Sequence, residues 1–519
     1  MIGIDIKVPL KYDERAIRDG LEEKLGEVYA GEYRLIRREL DLSEKAPSYK
    51  LRVGVTLDPY REIRMCKKEL ARPCPSLEIV LKPSSLKARP VVVGSGPCGL
   101  FAALALAESG ACPIVLERGE DVDARRAKVA RFNAGGELDG ESNIQFGEGG
   151  AGTFSDGKLK HGAPDAYNHK VLSEFVAHGA PEDVLYDSEP HVGTDLLSEI
   201  IKKIRKKIIS LGGEFKFGAK LVGIKEKDGK VCGISYVERG EEKELACEKV
   251  VLAIGHSARD SFSMLSRLGV AMEARGFGIG VRIEHPRVHV NKMIYGDRYE
   301  EIERTASYRF VTHLKSGRSV YSFCMCPGGS VVAATSEHGS VVTNGMSLHA
   351  RDGENSNAAF LVSVTPNDFG NDPMGGLELQ KKLEQRAFNI SKDYKAPAVR
   401  MEDFMKKQAS STLGEVRPTY PRGVVLPRPD EFLPDFIEDS LREAIPDFED
   451  YKNGFYLPDA LLTGIETRTT SPIRLTRNEK RECVTLAGLY PCGEGAGYSG
   501  GIISSAVDGL KTAEIILNS

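Results

Sequence analysis

The sequence lacks the features that mark several protein classes. No apolar run reaches the roughly 18 residues that a membrane span requires, and the first residues show no basic stretch followed by a long apolar one, so no secretory signal is expected. Ten cysteines in 519 residues are too few for a disulfide scaffold, and none forms a CxxC pair, which argues against a zinc site. We therefore expect a cytoplasmic protein with no metal and no membrane partner.

An excess of basic charge is also missing. The chain has 71 Lys and Arg against 75 Asp and Glu, a formal net charge of −4, whereas binding to a phosphate backbone needs an excess of cations. The basic stretch 61–72 has no interleaved aromatic residues for stacking on bases and is typical of a solvated surface. No nucleic-acid partner is expected, and the oligomeric state is not determined by these features.

The length and the changes of pattern along the chain predict three parts. Residues 1–86 read as a small α+β domain, and a Pro- and Ser-containing stretch at 82–90 reads as a linker. Residues 87–265 and 461–519 show strand, glycine turn and helix patterns, which predict one discontinuous α/β domain. Residues 266–460 carry no nucleotide signature and are expected to form an inserted domain.

The most informative segment is "VVVGSGPCGL" at 91–100, where an apolar run ends in a glycine turn and a helical pattern follows. Gly94, Gly96 and Gly99 fit G-x-G-x-x-G, in which the glycines permit a tight turn, approach of a diphosphate and close helix packing. Glu117 ends the next predicted strand, 18 residues after Gly99, where a carboxylate can accept hydrogen bonds from a ribose diol. The pattern predicts a dinucleotide site and disfavours a 2′-phosphate, with Arg118 leaving some room for one.

Further glycine clusters follow this one along the chain. One lies in "SNIQFGEGGAGTFSDGKL" at 142–159, a second strand ends at Gly255, and "YPCGEGAGYSGGIISSAVDG" at 490–509 joins Gly493 and Glu494 to a further helix. This series resembles the FAD-binding fold of the glutathione-reductase-like flavoproteins. Over nearly the whole chain the motifs resemble a group of bacterial FAD-dependent dehydrogenases that is largely uncharacterised.

The resemblance implies a fold, a cofactor and a site. The implied fold class is α/β, with a Rossmann-like FAD-binding domain of the glutathione-reductase type, an inserted α+β substrate domain and a small N-terminal α+β domain. The implied cofactor is FAD, with Glu494 in a position where Asp is more usual. The residues expected to bind the cofactor are Gly94, Gly96, Pro97, Cys98, Gly99, Glu117, Arg118, Gly149, Gly150, Gly152, Gly255, Gly493, Glu494, Gly500, Gly501 and Ile502.

The same resemblance implies two-electron transfer through flavin N5 with an unidentified small organic substrate. Lys158, as a cation near the reduced flavin, and His285, as an acid or base, are the candidate catalytic residues, and each has a structural alternative. No second G-x-G-x-x-G followed by a helix is present, so NADH or NADPH would act only as a transient donor. Two other functions stay open: a flavin-dependent RNA-modifying enzyme, and a non-catalytic FAD-binding redox sensor or partner protein.

Two further groups of residues permit more than one interpretation. Cys324 and Cys326 form a C-x-C pair; side chains at i and i+2 of a strand point the same way without easily bridging, which favours packed core cysteines. The segment 465–477 carries four charged residues that would bind an anionic group or form an ion-paired structural network. These four are Glu466, Arg468, Arg474 and Arg477.

Overall fold

The N-terminal part of the computed structural model is an antiparallel sheet with two helices. The structure describes residues 1–44, 46–74, 77–160, 162 and 165–519. The elements are β1 Ile2–Pro9, α1 Glu14–Leu25, β2 Tyr33–Asp41, β3 Ser48–Val55, α2 Pro59–Lys67 and β4 Arg72–Pro73, with the strand order β2-β3-β1-β4. Alternation in β1 puts its isoleucines on the face that buries Ile17 and Leu21 of α1, as the period-2 and period-3.6 patterns predict.

The segment after the linker alternates strands with helices. Its elements are β5 Val91–Val93, α3 Pro97–Glu108, β6 Ile114–Glu117, α4 Val122–Asn133, α5 Ala166–Ala177, α6 Thr194–Ser210, β7 Glu214–Phe217, β8 Ala219–Lys227, β9 Lys230–Glu238, β10 Glu241–Ala246, β11 Val250–Leu252 and α7 Arg259–Arg267. Strands β8, β9 and β10 form an antiparallel three-stranded sheet of their own, in the order β10-β9-β8.

The rest of the chain contains a large antiparallel sheet, and its last strand joins the sheet that contains β5 and β6. Its elements are β12 Met272–Ala274, β13 Phe277–Pro286, α8 Arg287–Tyr295, β14 Val311–His313, β15 Ser319–Cys326, β16 Ser330–Ala333, β17 Thr343–Met346, β18 Asn355–Val364, α9 Pro366–Phe369, α10 Gly375–Ser391, β19 Ala396–Arg400, α11 Met401–Met405, β20 Val424–Val425, α12 Pro429–Phe432, α13 Asp435–Tyr451, β21 Leu461–Glu466, β22 Ile473–Leu475, β23 Leu489–Pro491 and α14 Ile502–Leu517. Short 3-10 helices lie at Ala151–Phe154, Glu182–Leu185 and Gly296–Glu301.

Five strands form a parallel sheet in the order β23-β11-β5-β6-β7. Parallel strands present their carboxyl ends at one edge, so the turns after β5, β6, β11 and β23 come together there. Helices α3, α6 and α14 cover one face of this sheet, and the three-stranded sheet with α7 covers the other, so its central strands are apolar on both faces. This edge is therefore where loops distant in sequence can build one site.

The large sheet has seven strands in the order β14-β15-β18-β13-β21-β19-β20. Strand β21 pairs with β13 and β19, so residues 461–466 belong to this sheet and not to the parallel sheet with which the sequence pattern grouped them. A six-residue strand carries no signal for its partner sheet, so the sequence pattern could not assign this pairing. Of the helices in the described residues, none combines the length and apolarity that crossing a bilayer requires.

Helices α3 and α14 pack at unusually close range, although they are about 400 residues apart in the chain. A Cβ at Gly509 of α14 would lie 2.1 Å from the carbonyl oxygen of Cys98. Only a glycine permits this approach, and the contact holds the glycine turn before α3 against the C-terminal segment.

We expect Gly509→Ala to destabilise the fold by about 1–3 kcal/mol, because the added methyl group overlaps the backbone of α3. Helix propensity alone predicts the opposite sign, a gain of about 1 kcal/mol. Denaturant unfolding followed by circular dichroism measures the difference. The exposed Lys206→Ala on α6 is the matched control and should change stability by less than about 0.5 kcal/mol; a gain for Gly509→Ala would contradict the packing.

Candidate functional site

A cavity of about 520 Å³ opens where the parallel strands end. Its walls come from the turn after β5, the end of β6, the loop at 144–158, the segment 253–258 after β11, strand β15 and the segment 492–505 before and into α14. A volume of this size is in the range of small-molecule and cofactor sites. The cavity thus joins the parallel sheet to the seven-stranded sheet.

The turn after β5 has the geometry that its glycines predict. A Cβ at Gly99 would lie 1.9 Å from the carbonyl oxygen of Gly94, and one at Gly94 would lie 2.3 Å from that of Ala253. At Gly96 the only nearby atom is the Cα of Gly150, at 3.7 Å from a Cβ. Gly94 and Gly99 are therefore required for packing, whereas a Cβ at Gly96 would meet the described residues only at van der Waals distance.

Two helix N-termini border the cavity. Gly96 is the N-cap of α3 and Gly501 is the N-cap of α14, and no side chain caps either helix. The first N–H groups of a helix have no intrahelical partner and carry the positive end of its dipole. Such ends attract anions and polarised oxygens.

Glu117 connects three segments of this site through hydrogen bonds to its carboxylate. Its Oε2 accepts hydrogen bonds from the backbone N and the hydroxyl of Ser95, at 2.9 and 2.7 Å, and its Oε1 accepts from the backbone N of Gly119 and of Gly147, at 2.9 and 3.0 Å. A carboxylate has about four acceptor positions, so protein donors use all of them. A ribose hydroxyl can bind Glu117 only if one donor turns away, and the rotatable donor is the Ser95 hydroxyl.

Arg118, beside it, is compensated by two carboxylates. Its guanidinium donates to Asp260 at 2.9 and 3.0 Å and to Glu141 at 2.8 Å, and it lies 3.9 Å from the centre of the Phe146 ring. Its donors are thus engaged by acids, which leaves little for an added phosphate.

The predicted cofactor residues are gathered in one place with two exceptions. Those that line the cavity are Gly94, Gly96, Pro97, Cys98, Glu117, Arg118, Gly150, Gly152, Gly255, Gly493, Glu494, Gly500, Gly501 and Ile502. Gly99 lies behind the turn, as its packing shows. Gly149 also lies outside: its N–H donates to the carbonyl of Ser95 at 3.0 Å and a Cβ there would lie 2.1 Å from Thr153 Oγ1, so it shapes the loop.

The C-terminal turn presents Glu494 to the cavity. The N–H of Gly493 donates to Asp508 at 2.8 Å, and this fixes the turn that carries Glu494. The Glu494 side chain is 27% exposed, and burial, with the nearby charge of Cys324, raises its pKa to about 8. Its carboxyl group is therefore largely protonated at neutral pH and can donate a hydrogen bond.

His256 faces Glu494 across the cavity, with 4.0 Å between its Nε2 and the carboxyl oxygen. Burial and the charges of Arg468 and Arg259 lower the pKa of His256 to about 4. Because the imidazole is neutral and the carboxyl is protonated, the contact is polar and not an ion pair. At neutral pH the proton of this pair is therefore on Glu494.

Lys158 lines the cavity as a cation. Its Nζ lies 3.1 Å from Asp156 Oδ2, but Asp156 is also held by both guanidinium arms of Arg351. Burial opposes ionisation of Asp156, yet Lys158 and Arg351 lower its pKa. One carboxylate thus faces two cations, so Lys158 contributes a net positive charge.

His285 is not part of the cavity, which corrects its assignment as a catalytic candidate. It lies in β13 with no exposed surface, its ring stacks on His289, and its Nε2 lies 2.9 Å from the carbonyl of Phe455. Burial lowers its pKa to about 4. Both faces of β13 are covered, so strand alternation could not show which side chains reach a substrate.

The charged segment 465–477 is chiefly an ion-paired network. Glu466 pairs with Arg282 at 2.7 Å, Arg468 with Glu384 at 2.7 Å, and Arg477 with Asp508 at 2.8 Å. Arg474 lies over the ring of Tyr498. Glu466 and Arg468 also line the cavity, and burial raises the pKa of Glu466 to about 7 against the effect of Arg282.

Several cavity residues were not named as site candidates from the sequence. They are Gln145, Ser257, Tyr308, Phe323, Met325 and Asn344. Gln145 lies within the stretch 142–159 and Ser257 follows the turn at Gly255, but the glycine patterns did not single out their side chains. The strand residues among them lie on β15 and β17, where alternation alone does not show which side chains reach a cavity.

Comparisons with known proteins identify relatives of the chain. Residues 276–469 match the family model described as "FAD-dependent protein, C-terminal domain-like"; this range encloses all seven strands of the large sheet, β13 to β21. An uncharacterized protein of Clostridium beijerinckii (strain ATCC 51743 / NCIMB 8052) is 52% identical over 436 residues, which cover 83% of this chain and 81% of the relative.

Three solved structures illustrate the more distant matches. A flavin-dependent brominase variant is 12% identical with a TM-score of 0.37 and covers 83% of this chain and 80% of its own. An E. coli quinol fumarate reductase variant is 13% identical with a TM-score of 0.36, covering 83% and 70%. A Rhodococcus jostii ketosteroid dehydrogenase is 14% identical with a TM-score of 0.34, covering 84% and 98%. At these scores the matches carry no assignment.

The raised pKa of Glu494 predicts a pH-dependent stability of the protein without added cofactor. The folded state keeps the proton up to about pH 8, whereas the unfolded carboxyl releases it near its usual value, so stability falls as pH rises through this window. Glu494→Gln should flatten this slope. Unfolding free energies at several pH values measure it, with the exposed Glu479→Gln as control; equal slopes in wild type and Glu494→Gln would contradict the assignment.

Proposed function

The chain belongs to the same family as the Clostridium beijerinckii relative, and its residues 276–469 match the model of the C-terminal domain of FAD-dependent proteins; from this premise we propose that it is an FAD-dependent oxidoreductase. In this proposal two electrons pass through flavin N5 to or from a small organic substrate. The observation that carries the proposal is the N-terminus of α3, which no side chain caps and where Gly96 and Pro97 line the cavity. The backbone N–H groups at this helix start suit a diphosphate, and a side chain at Gly96 would crowd it.

The other residues fit the remaining parts of FAD. Glu117 would hold the adenosine ribose after the Ser95 hydroxyl has turned away, and its negative charge disfavours a 2′-phosphate. The neutral Glu494 can donate to or accept from the ribityl hydroxyls. The uncapped start of α14 would lie towards the electron-rich edge of the isoalloxazine, as in the glutathione-reductase type of fold that we propose for this domain.

FAD supplies the hydride chemistry when bound, and the protein supplies orientation and charge. Lys158 would stabilise the negative charge that builds up on reduction, because it is the uncompensated cation of the group formed with Asp156 and Arg351. His256 and Glu494 would hold the proton that accompanies the electrons. NADH or NADPH is proposed as a transient donor, and the cytoplasm as the location.

The substrate would enter from the side of the seven-stranded sheet. There the cavity lining includes Tyr308, Phe323, Met325 and Asn344, together with the charged Arg309, Glu466 and Arg468. A concave wall that combines apolar and aromatic residues with a few charged ones suits a small organic molecule better than a polymer.

Gly96→Ala should weaken FAD binding by at least about tenfold, or about 1.4 kcal/mol, because the methyl group would occupy the diphosphate space. The fold should be retained, since no backbone atom lies closer than 3.7 Å to the new carbon. Fluorescence titration of the apoprotein with FAD measures the affinity. Gly223→Ala, in β8 away from the cavity, is the control; equal affinity for both variants would place the diphosphate elsewhere.

The redox activity is tested by anaerobic mixing of the purified holoprotein with NADH, with NADPH and with a panel of small organic reductants. We expect the visible flavin band to bleach with at least one of them, and Lys158→Met to slow this bleaching while FAD stays bound. Folded protein that takes up no FAD would refute the cofactor assignment. Bound FAD that no member of the panel reduces would refute the oxidoreductase.

A further inference from the structure

Cys324 and Cys326 lie where strand β15 departs from regular geometry. Against β18, Phe323 pairs with Ala359 but Cys326 pairs with Asn357, so β15 has one extra residue at this point. Cys324 takes a positive φ of 41° in this bulge. In a regular strand residues i and i+2 are about 6.6 Å apart with parallel side chains, and the bulge removes this obstacle to a bond between them.

The Cys326 thiol is directed towards Cys324. Cys326 is fully buried, and its Sγ donates to the carbonyl oxygen of Cys324 at 3.4 Å. Cys324 is half-buried and lines the cavity. One thiol of the pair is therefore accessible from the cavity and the other lies behind it, which is the arrangement of an attacking and a resolving cysteine.

The surroundings favour a thiolate at the accessible position. The hydrogen bond from Cys326 lowers the pKa of Cys324, and against the effect of burial the charges of Lys158 and Arg282 lower it further. Arg282 is anchored there because its Nη1 donates to the Cys324 carbonyl at 2.8 Å. Interaction with Cys324, together with burial, raises the pKa of Cys326, so Cys324 is the more acidic thiol of the pair.

We propose that Cys324 and Cys326 are a redox-active pair that alternates between dithiol and disulfide in the wall of the cavity. The proposal rests on the proposed function, since its electron partner is the FAD of that function. In the oxidising direction the S–H bond of Cys326 breaks and an S–S bond forms. Both electrons and the proton pass to oxidised flavin, so that atoms and charge balance, and the reverse step reduces the disulfide.

The position of the pair fits this exchange. Cys324, Glu494 and Lys158 all line the cavity. Burial and the charge of Cys324 raise the pKa of Glu494 on the C-terminal turn. The redox pair therefore lies on the side of the cavity where the reacting ring of the flavin is proposed.

The first test detects the disulfide bond between Cys324 and Cys326. The full-length protein is treated with diamide, a two-electron thiol oxidant, then alkylated and digested with trypsin, and the peptide masses are measured by mass spectrometry. Trypsin releases residues 319–351 as one peptide with no cysteines other than Cys324 and Cys326. We expect this peptide to lose two hydrogens and to resist alkylation, while the exposed Cys232 is alkylated. A peptide 319–351 that stays fully alkylated on both cysteines would overturn the proposal.

The second test measures electron transfer between the cysteine pair and the flavin. Air-oxidised holoprotein is titrated anaerobically with dithionite, and the amount consumed per flavin is compared with that of Cys326→Ser. Wild type should consume one two-electron equivalent of dithionite per flavin more than Cys326→Ser. If this pair is the only disulfide, the wild-type consumption is about twice that of the variant. Another close pair, Cys98 and Cys492 with 3.1 Å between their sulfurs, is common to both proteins and cancels. Equal consumption would overturn the proposal.

A second variant and separate outcomes for the cofactor distinguish failure of the redox pair from failure of the proposed function. Because Cys326 is fully buried, Cys324→Ser at the half-buried position provides a second variant with the same expected loss. If the protein binds no FAD, the proposed function fails, but diamide still tests the disulfide. If FAD is bound and reduced while peptide 319–351 remains a dithiol under all oxidants, the proposed function stands and the redox pair is refuted.

Discussion

The site depends on the four hydrogen bonds of one buried carboxylate. Glu117 ends β6, is 4% exposed, and accepts from Ser95, Gly119 and Gly147. Removing it would leave three backbone N–H groups of three separate segments without an acceptor in a buried place, at about 1–3 kcal/mol each. The turn before α3, the end of β6 and the glycine loop before the 3-10 helix keep their positions because this carboxylate satisfies them together.

Charge in and around the cavity is compensated almost completely. Arg259 and Arg468 share Glu384, whose pKa they lower to about 2 although burial opposes it. Arg282 pairs with Glu466. An unpaired charge in such a buried place would cost several kcal/mol. The net positive charge beside Lys158 is therefore a feature that the fold maintains, and it lies where both the thiolate of Cys324 and a reduced flavin would gain from it.

The turn after β5 was predictable because its constraints are local. Gly94 and Gly99 cannot carry side chains for reasons that arise within a few residues, and the apolar run and helix pattern on either side set the context. Arg468 and Cys324 show the opposite case. Whether Arg468 binds a ligand or an acid depends on Glu384, 84 residues away, and the behaviour of Cys324 depends on a bulge opposite β18 that no spacing rule indicates.

The sequence by itself determined the glycine turns, the strand and helix that flank each of them, and the near-neutral charge of the chain, because these follow from backbone freedom and composition. Only the tertiary structure decided which turns meet, that β21 joins the seven-stranded sheet, that His285 is buried away from the cavity and that Cys324 faces into it. The physical reason is that partner choice between strands and the direction of a side chain in a strand covered on both faces depend on packing between distant segments, which local patterns do not encode.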